Sequence, residues 1–305
     1  MSMMNNPRII PAMVAYYLRS RVCRKTPPLI ASFKLTYRCN LRCKGCPFHL
    51  RSREKNAHMG WETALACMDT LWSMGLKIIV FEGGEPLAWK DNGHTFNDLA
   101  DYARKKFSCV AATTNGTITL DAPVDVLWVS IDGTQDIHDR LRDNSYNTIS
   151  SNIRSSNHKK LLVHYTINRE NIIAIDETIQ MVHDTPRLKG ITFQLFYPYN
   201  QGEQDLALSR QERYQAMQRV LLLKKKGFPV LNSAWSLRAM VDNTWTCHDW
   251  LLANVDPDGN IFTGCYLKGR GEIRCRDCGF TPVAEASGAY DLVPGSILSG
   301  WRIFG

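Results

Sequence analysis

The chain has no apolar run long enough to cross a bilayer. The longest early one, IIPAMVAYYL at 9–18, stops well short of the roughly 20 residues a spanning helix needs. It also lacks the charged start and small-residue cleavage site of a secretory signal, so the expected compartment is the cytoplasm. No block of lysine and arginine interleaved with aromatics accompanies the formal net charge of +8. Scattered basic residues fit an anionic substrate or surface better than nucleic acid, which is not an expected partner. No internal repeat or low-complexity segment is visible. Without a secretion signal, a disulfide framework is a poor use for ten cysteines, and metal binding or thiol chemistry is the better one.

What is present is an alternation of strand and helix signals from residue 30 to about 226. Strands are expected at 31–37, 77–83, 109–115, 125–132, 160–168 and 190–198, with helical patterns at 61–75, 94–107, 172–184 and 209–227. Strands separated by helices pair in parallel through right-handed crossovers, giving an α/β sheet that is either doubly wound or a barrel. The later strands favour the barrel. His164, Thr166 and Asn168 share one parity, as do Thr192 and Gln194, and Ser130 and Asp132, while the opposite parity is apolar. A parallel strand covered on both faces is apolar throughout, so a polar face points to a wet lumen. After residue 227 the chain becomes turn-rich, and a domain boundary is expected at 232–242. The expected division is a basic amphipathic helix in 1–29, a barrel in 30–231 and a small cysteine-rich domain in 232–305.

The cysteines cluster. Residues 39–46 read CNLRCKGC, placing Cys39, Cys43 and Cys46 just after the first strand, at the mouth where barrel enzymes build active sites. Three thiolates can hold a four-iron cluster with one iron left open, or a zinc ion closed by a fourth ligand such as His49. Residues 82–86 read EGGEP, ending the second strand. Two glycines let backbone approach a ligand closely, and Glu85 can accept from an ammonium group. Near the far end, Cys247, Cys265, Cys275 and Cys278 surround a DPDG hairpin turn and finish in CxxC. Four thiolates satisfy a whole cluster or a structural zinc. Cys23, Cys67 and Cys109 stand alone, the last two in apolar surroundings.

With CxxxCxxC, GGEP, TTNG (113–116) and SIDG (130–133) at successive strand ends, the segment 30–200 resembles the radical S-adenosylmethionine (SAM) superfamily. The resemblance implies a partial (β/α)6 TIM-like barrel carrying a four-iron cluster on Cys39, Cys43 and Cys46. That cluster chelates SAM and cleaves it reductively to methionine and a 5′-deoxyadenosyl radical, which abstracts hydrogen from a substrate C–H bond. It further implies that Gly83, Gly84 and Glu85 hold the SAM amino group, with Thr113, Asn115, Ser130 and Asp132 near its carboxylate and ribose. The residue before the third cysteine is commonly aromatic in this family and here is Gly45. The C-terminal cysteines resemble the auxiliary-cluster domain called twitch, a short relative of SPASM domains, implying a second four-iron cluster. The resulting expectation is a radical SAM oxidoreductase that dehydrogenates a small molecule and takes electrons from a donor such as flavodoxin or ferredoxin. The leader at 7–25 and Gly45 also resemble radical SAM enzymes of hopanoid lipid biosynthesis, which raises a lipid substrate and peripheral membrane contact as an alternative; the plainer expectation makes the leader a helix capping the barrel. Peptide maturation is a second enzymatic alternative, though nothing before residue 30 is long enough for a leader-recognition module. A structural metal-binding module is the non-enzymatic one. For substrate contacts, His164, Gln194, Tyr197 and Arg140 are candidates.

Overall fold

The computed structural model describes residues 7–22, 26–199, 203–268 and 272–305. Cys23, Arg24 and Lys25, counted with the basic leader, lie outside them. Six parallel strands follow one another across the sheet in chain order: β1 (Ile30–Thr36), β2 (Ile78–Gly83), β3 (Cys109–Thr114), β4 (Val126–Ser130), β5 (Leu161–Ile167) and β6 (Leu188–Leu195). Helices α1 (Ile9–Arg21), α2 (Trp61–Met74), α3 (Phe96–Arg104), α4 (Gln135–Leu141), α5 (Tyr146–Ser155), α6 (Ile175–Asp184) and α7 (Arg210–Lys225) accompany them. The crossover from β3 to β4 is a loop without a helix. This is the partial barrel that the polar strand parity favours and the family resemblance implies.

Local chemistry sets the element ends. Helix α2 stops where Gly75 takes a left-handed φ of 97°, a conformation that costs glycine nothing. Helix α7 starts at a capping box, in which the Ser209 hydroxyl accepts from the Glu212 N–H while Glu212 accepts from the Ser209 N–H.

The chain beyond α7 does not stand apart from the sheet. Residues 232–242, where a domain boundary is expected, largely form α8 (Ala234–Asp242), and two further strands extend the barrel. Strand β7 (Leu252–Val255) pairs parallel with β1, and β8 (Ile261–Thr263) returns antiparallel to β7 across the expected turn. Helices α9 (Thr281–Tyr290) and α10 (Pro294–Phe304) complete the chain.

Strand parity sorts the residues into two cores. Ala31, Phe33, Leu35, Ile79, Phe81, Val110, Val129, Val163 and Tyr165 face the outer helices and are fully buried. The opposite parity faces the lumen, whose floor is apolar: Ile78, Cys109, Ala111, Val126, Trp128 and Leu162 pack with Ile9 of α1 and Ile303 of α10. Helix α1 therefore caps the N-terminal end of the barrel. Its outward residues Ile10, Val14 and Leu18 remain exposed. Among the described residues no helix is long and apolar enough to cross a membrane.

Candidate active site at the barrel mouth

One layer above the apolar floor, the lumen becomes polar. Lys34 and Glu82 are direct partners in the register of β1 with β2, and Ser130, His164 and Thr192 line up across β4, β5 and β6. Burial pushes the His164 imidazole down to about 4, with Asp132 and Glu82 acting in the opposite sense, so it is neutral near pH 7. Gln194 shares the lumen-facing parity of Thr192. Two other residues expected near substrate lie elsewhere. Tyr197 stacks on Phe280 with ring centroids 5.4 Å apart and donates to the Glu272 carbonyl. Arg140 is exposed and lines an outer charged cleft with Arg42 and Lys44.

The cysteine loop leaves the barrel at Tyr37 and returns at Met59. Tyr37 N–H donates to the Ala57 carbonyl and Met59 N–H to that of Leu35, so the loop is closed at its base. Cys39, Cys43 and Cys46 are all partly exposed at the mouth. Burial raises the Cys39 and Cys43 thiols, Cys43 to about 12; the charge of Cys46 raises both further, and that of Cys39 also raises Cys43. A cluster that binds them as thiolates would offset that cost. Cys39 sulfur also lies near two N–H donors: the Leu41 amide at 3.5 Å and the Asn115 side-chain amide at 3.6 Å.

The GGEP turn is welded to this loop. Gly84 N–H donates to the Thr36 carbonyl and Glu85 N–H to that of Arg38. A β-carbon on Gly84 would fall on the Arg38 carbonyl, and one on Gly83, whose φ is 130°, on that of Thr36. The glycines thus admit the cysteine-loop backbone itself. Glu85 is fully buried, and its carboxylate accepts from the Leu87 N–H, the Thr114 hydroxyl and the Asn115 N–H. Burial lifts it to about 7 against the pull of those donors. As found, Glu85 braces the end of β3 against the turn. Thr113 faces the lumen by parity and is half-buried. Asn115 reaches Asn40 at 2.8 Å as well as Cys39, tying TTNG to the cysteine loop.

Sequence reading missed the group that organises Asp132. Its carboxylate accepts from Arg142 at 2.6 Å and from the Thr166 N–H at 2.9 Å. Arg142 also acts electrostatically on Cys43 and Cys46. The turn carrying it holds the cysteine loop from outside: Lys44 N–H donates to the Leu141 carbonyl, and Arg42 N–H to the Asp143 carboxylate. His138 locks this turn from within. It is fully buried; its Nδ1 accepts from the Asp132 N–H at 3.2 Å, and its Nε2 meets the Ser145 hydroxyl at 3.1 Å. Ser145 in turn donates to the Arg142 carbonyl, which makes Nε2–H the donor and the ring neutral. Burial pushes its pKa down to about 4. Gly45, at φ 74°, has Phe196 and Leu206 where a side chain would stand, so an aromatic ring reaches this place from the end of β6.

The second cysteine group sits beside β6 and β7. Cys247, Cys265, Cys275 and Cys278 influence one another's charge, and burial pushes Cys247 to about 12 and Cys278 to about 11. Gly279 carbonyl accepts from the Leu195 N–H, docking the CxxC on β6. The buried Arg213 guanidinium donates to the carbonyls of Met240 and Cys278. Four thiols in one neighbourhood have the donor chemistry of a fully ligated cluster. Among the described residues no three His, Cys, Asp or Glu side chains close on a single-ion site. Cys67 and Cys109 are buried.

The family model for the radical SAM superfamily matches residues 33–182. The Fe-coproporphyrin III synthase of Methanosarcina barkeri is 27% identical over 217 residues, covering 66% of this chain and 53% of that protein. The antilisterial bacteriocin subtilosin biosynthesis protein AlbA of Bacillus subtilis is 31% identical over 125 residues, 38% of this chain and 27% of that one. The chain spans about half or less of the length of the curated relatives it matches. In fold, it is similar to Streptococcus suis SuiB bound to S-adenosylmethionine, with a TM-score of 0.61 at 12% identity, over 94% of this chain and 71% of that one. The family match runs from within β1 to within α6, taking in the cysteine loop, the GGEP turn and the ends of β3, β4 and β5, and this segment of the chain belongs to the radical SAM superfamily.

Proposed function

We propose that the protein cleaves SAM reductively at the barrel mouth and uses the radical to oxidise a small molecule held in the lumen, with a second four-iron cluster assisting. Cys39, Cys43 and Cys46 would hold the first cluster. When bound, cluster and SAM supply one electron and a 5′-deoxyadenosyl radical that takes a hydrogen atom from a substrate C–H bond. Gly83, Gly84 and Glu85 set the backbone against which SAM rests, and Thr113, Asn115, Ser130 and Asp132 border it. Cys247, Cys265, Cys275 and Cys278 would hold the auxiliary cluster, whose natural use is to accept the electron left on the substrate. The observation that carries this reading is the polar band of Lys34, Glu82, Ser130, His164 and Thr192, walled in between the cysteine loop and an apolar floor. Such a band has no packing purpose and suits a small polar substrate.

A peptide substrate is the second reading, favoured by the relatives: AlbA is a bacteriocin biosynthesis protein, and SuiB is also known with its precursor peptide. The test follows 5′-deoxyadenosine in anaerobically reconstituted protein given SAM, dithionite and either the small-molecule, peptide or lipid pool of its own cells. Stimulation by small molecules supports the first reading, and stimulation by peptides or lipids replaces it. Iron content tests the cofactors: Cys43→Ser and Cys265→Ser should each lower it from roughly eight to roughly four per chain. Equal iron in Cys265→Ser and the parent removes the auxiliary cluster.

A further inference from the structure

One buried cation beside the second cysteine group has no carboxylate of its own. Arg213 stands in the first turn of α7, only 8% exposed. Its guanidinium donates to the Cys278 carbonyl at 2.6 Å, to that of Met240 at 2.5 Å and to that of Arg276 at 3.5 Å, with the Asn243 side-chain oxygen at 3.3 Å. Every one of these acceptors is neutral. The Nε–H is buried and has no partner among the described residues. Two acids lie near enough for Arg213 to feel their charge, and each has another arginine. Asp242 pairs with Arg210 at 2.5 Å, and Asp277 lies 3.4 Å from Arg274. The chain outside the described residues contains no aspartate or glutamate.

Such a charge is costly. A buried guanidinium loses its hydration, and carbonyl dipoles return only part of it. Burial accordingly pushes Arg213 below the ordinary arginine range, against the pull of Cys278. The start of a helix also disfavours a cation. Tethering the CxxC does not require one, because the neutral amide of Asn243 already does so, donating to the Cys275 and Arg276 carbonyls at 2.9 Å each. What Arg213 adds is charge. Burial raises the Cys278 thiol, and Arg213 counters it. Four thiolates around a four-iron core carry net negative charge, which grows when the core takes an electron, and such charge sets the potential. Asp249, the acid that acts on Cys247 and Cys265, is half-buried and so in reach of screening water.

We propose that Arg213 is the buried counter-cation of the auxiliary cluster, favouring its reduced form and so raising its reduction potential. This rests on the reading of Cys247, Cys265, Cys275 and Cys278 as that cluster's ligands. The step it serves makes and breaks no bond. One electron enters the cluster, from the substrate radical in turnover or from dithionite in the test, and Arg213 keeps its protons throughout. Because the charge is delivered from α7 and not from the cysteine segment, the barrel itself poises the cluster as an electron acceptor.

The test poises the reconstituted full chain, with SAM, at a series of potentials and follows the reduced clusters by electron paramagnetic resonance. The signal lost in Cys265→Ser is that of the auxiliary cluster. Arg213→Gln keeps amide donors for the carbonyls and removes the charge. It should lower the ratio of reduced to oxidised auxiliary cluster roughly tenfold at a fixed potential, the usual effect of one neighbouring charge in a protein interior. For a one-electron couple that is about 59 mV. Arg213→Lys, which keeps the charge, should restore most of the shift. If Arg213→Gln loses the second cluster and Arg213→Lys keeps it, charge is again what the site needs, and the assignment stands. If both lose it, the hydrogen bonds of the guanidinium matter and not its charge, and the assignment is overturned. An unchanged potential in Arg213→Gln with full iron also overturns it, leaving the auxiliary cluster in place. If the parent itself holds only roughly four irons, the auxiliary-cluster reading has failed and Arg213 falls with it.

Discussion

His138 offers a measurable link between pH and the integrity of the mouth. Its neutral ring accepts the Asp132 N–H and donates to Ser145, which holds the Arg142 carbonyl. With its pKa at about 4 against 6.5 for the ordinary group, the folded state binds a proton less readily than the unfolded chain. The stability this contributes is fully present above pH 6.5 and is lost as pH falls toward 4. Between pH 7 and pH 5 the loss comes to about 2 kcal/mol. His138→Asn keeps an acceptor where Nδ1 stands but loses the donor to Ser145 and the edge contact with Tyr146, whose ring lies 5.5 Å away. At pH 7 that should cost about 2 kcal/mol. Because the variant has no imidazole to protonate there, its deficit should shrink nearly to zero at pH 5. Urea denaturation of the metal-free, reduced protein, followed by tryptophan fluorescence at both pH values, gives the comparison. His164 and His158 titrate alike in both proteins and cancel. A deficit that stays the same at both pH values would refute the argument that the buried neutral ring holds the Arg142 turn.

Gly45→Ala should destabilise the cysteine loop by about 2–4 kcal/mol, from left-handed strain and from crowding against Leu206 and Phe196; iron retained after reconstitution and the thermal midpoint should both fall. Arg142→Met should cost about 3 kcal/mol by leaving the Asp132 carboxylate buried without its partner. Adding Asp132→Asn to it should recover part of that loss, and a double-mutant cycle with no coupling counts against the pair.

The strands and their faces were legible because parity is a local signal. The polar parity of 160–168 and 190–198 marked the lumen before any neighbour was known, and the cysteine triplet and GGEP marked its mouth. What was not legible depends on register or on distant chain. Lys34 and Glu82 become partners only through the alignment of β1 with β2, and Tyr266 joins them from beyond 250. The His138–Arg142 turn looks like ordinary helix end in sequence, since its value lies in which backbone groups it reaches. GGEP was recognised, yet its glycines serve first to admit the cysteine-loop backbone, and Glu85 has its hydrogen bonds inside the protein. That 232–305 adds strands to the sheet was not legible from composition: a turn-rich, cysteine-rich stretch can still supply strands, and β7 and β8 are too short to announce that they extend a distant sheet.

The pairing of β7 with β1 also bears on how the protein is made. During synthesis β1 leaves the ribosome first and can acquire β2 soon afterwards, but its other edge waits for residues 252–255. At roughly 5–20 residues per second, that wait lasts on the order of ten to forty seconds. An unpaired parallel edge open for so long is a template for wrong partners, and the thiols at 39–46 are exposed to oxidants beside it. Yield of intact protein should therefore depend on translation speed and on chaperones and iron–sulfur assembly factors acting on a nascent chain, before the last strands have been added.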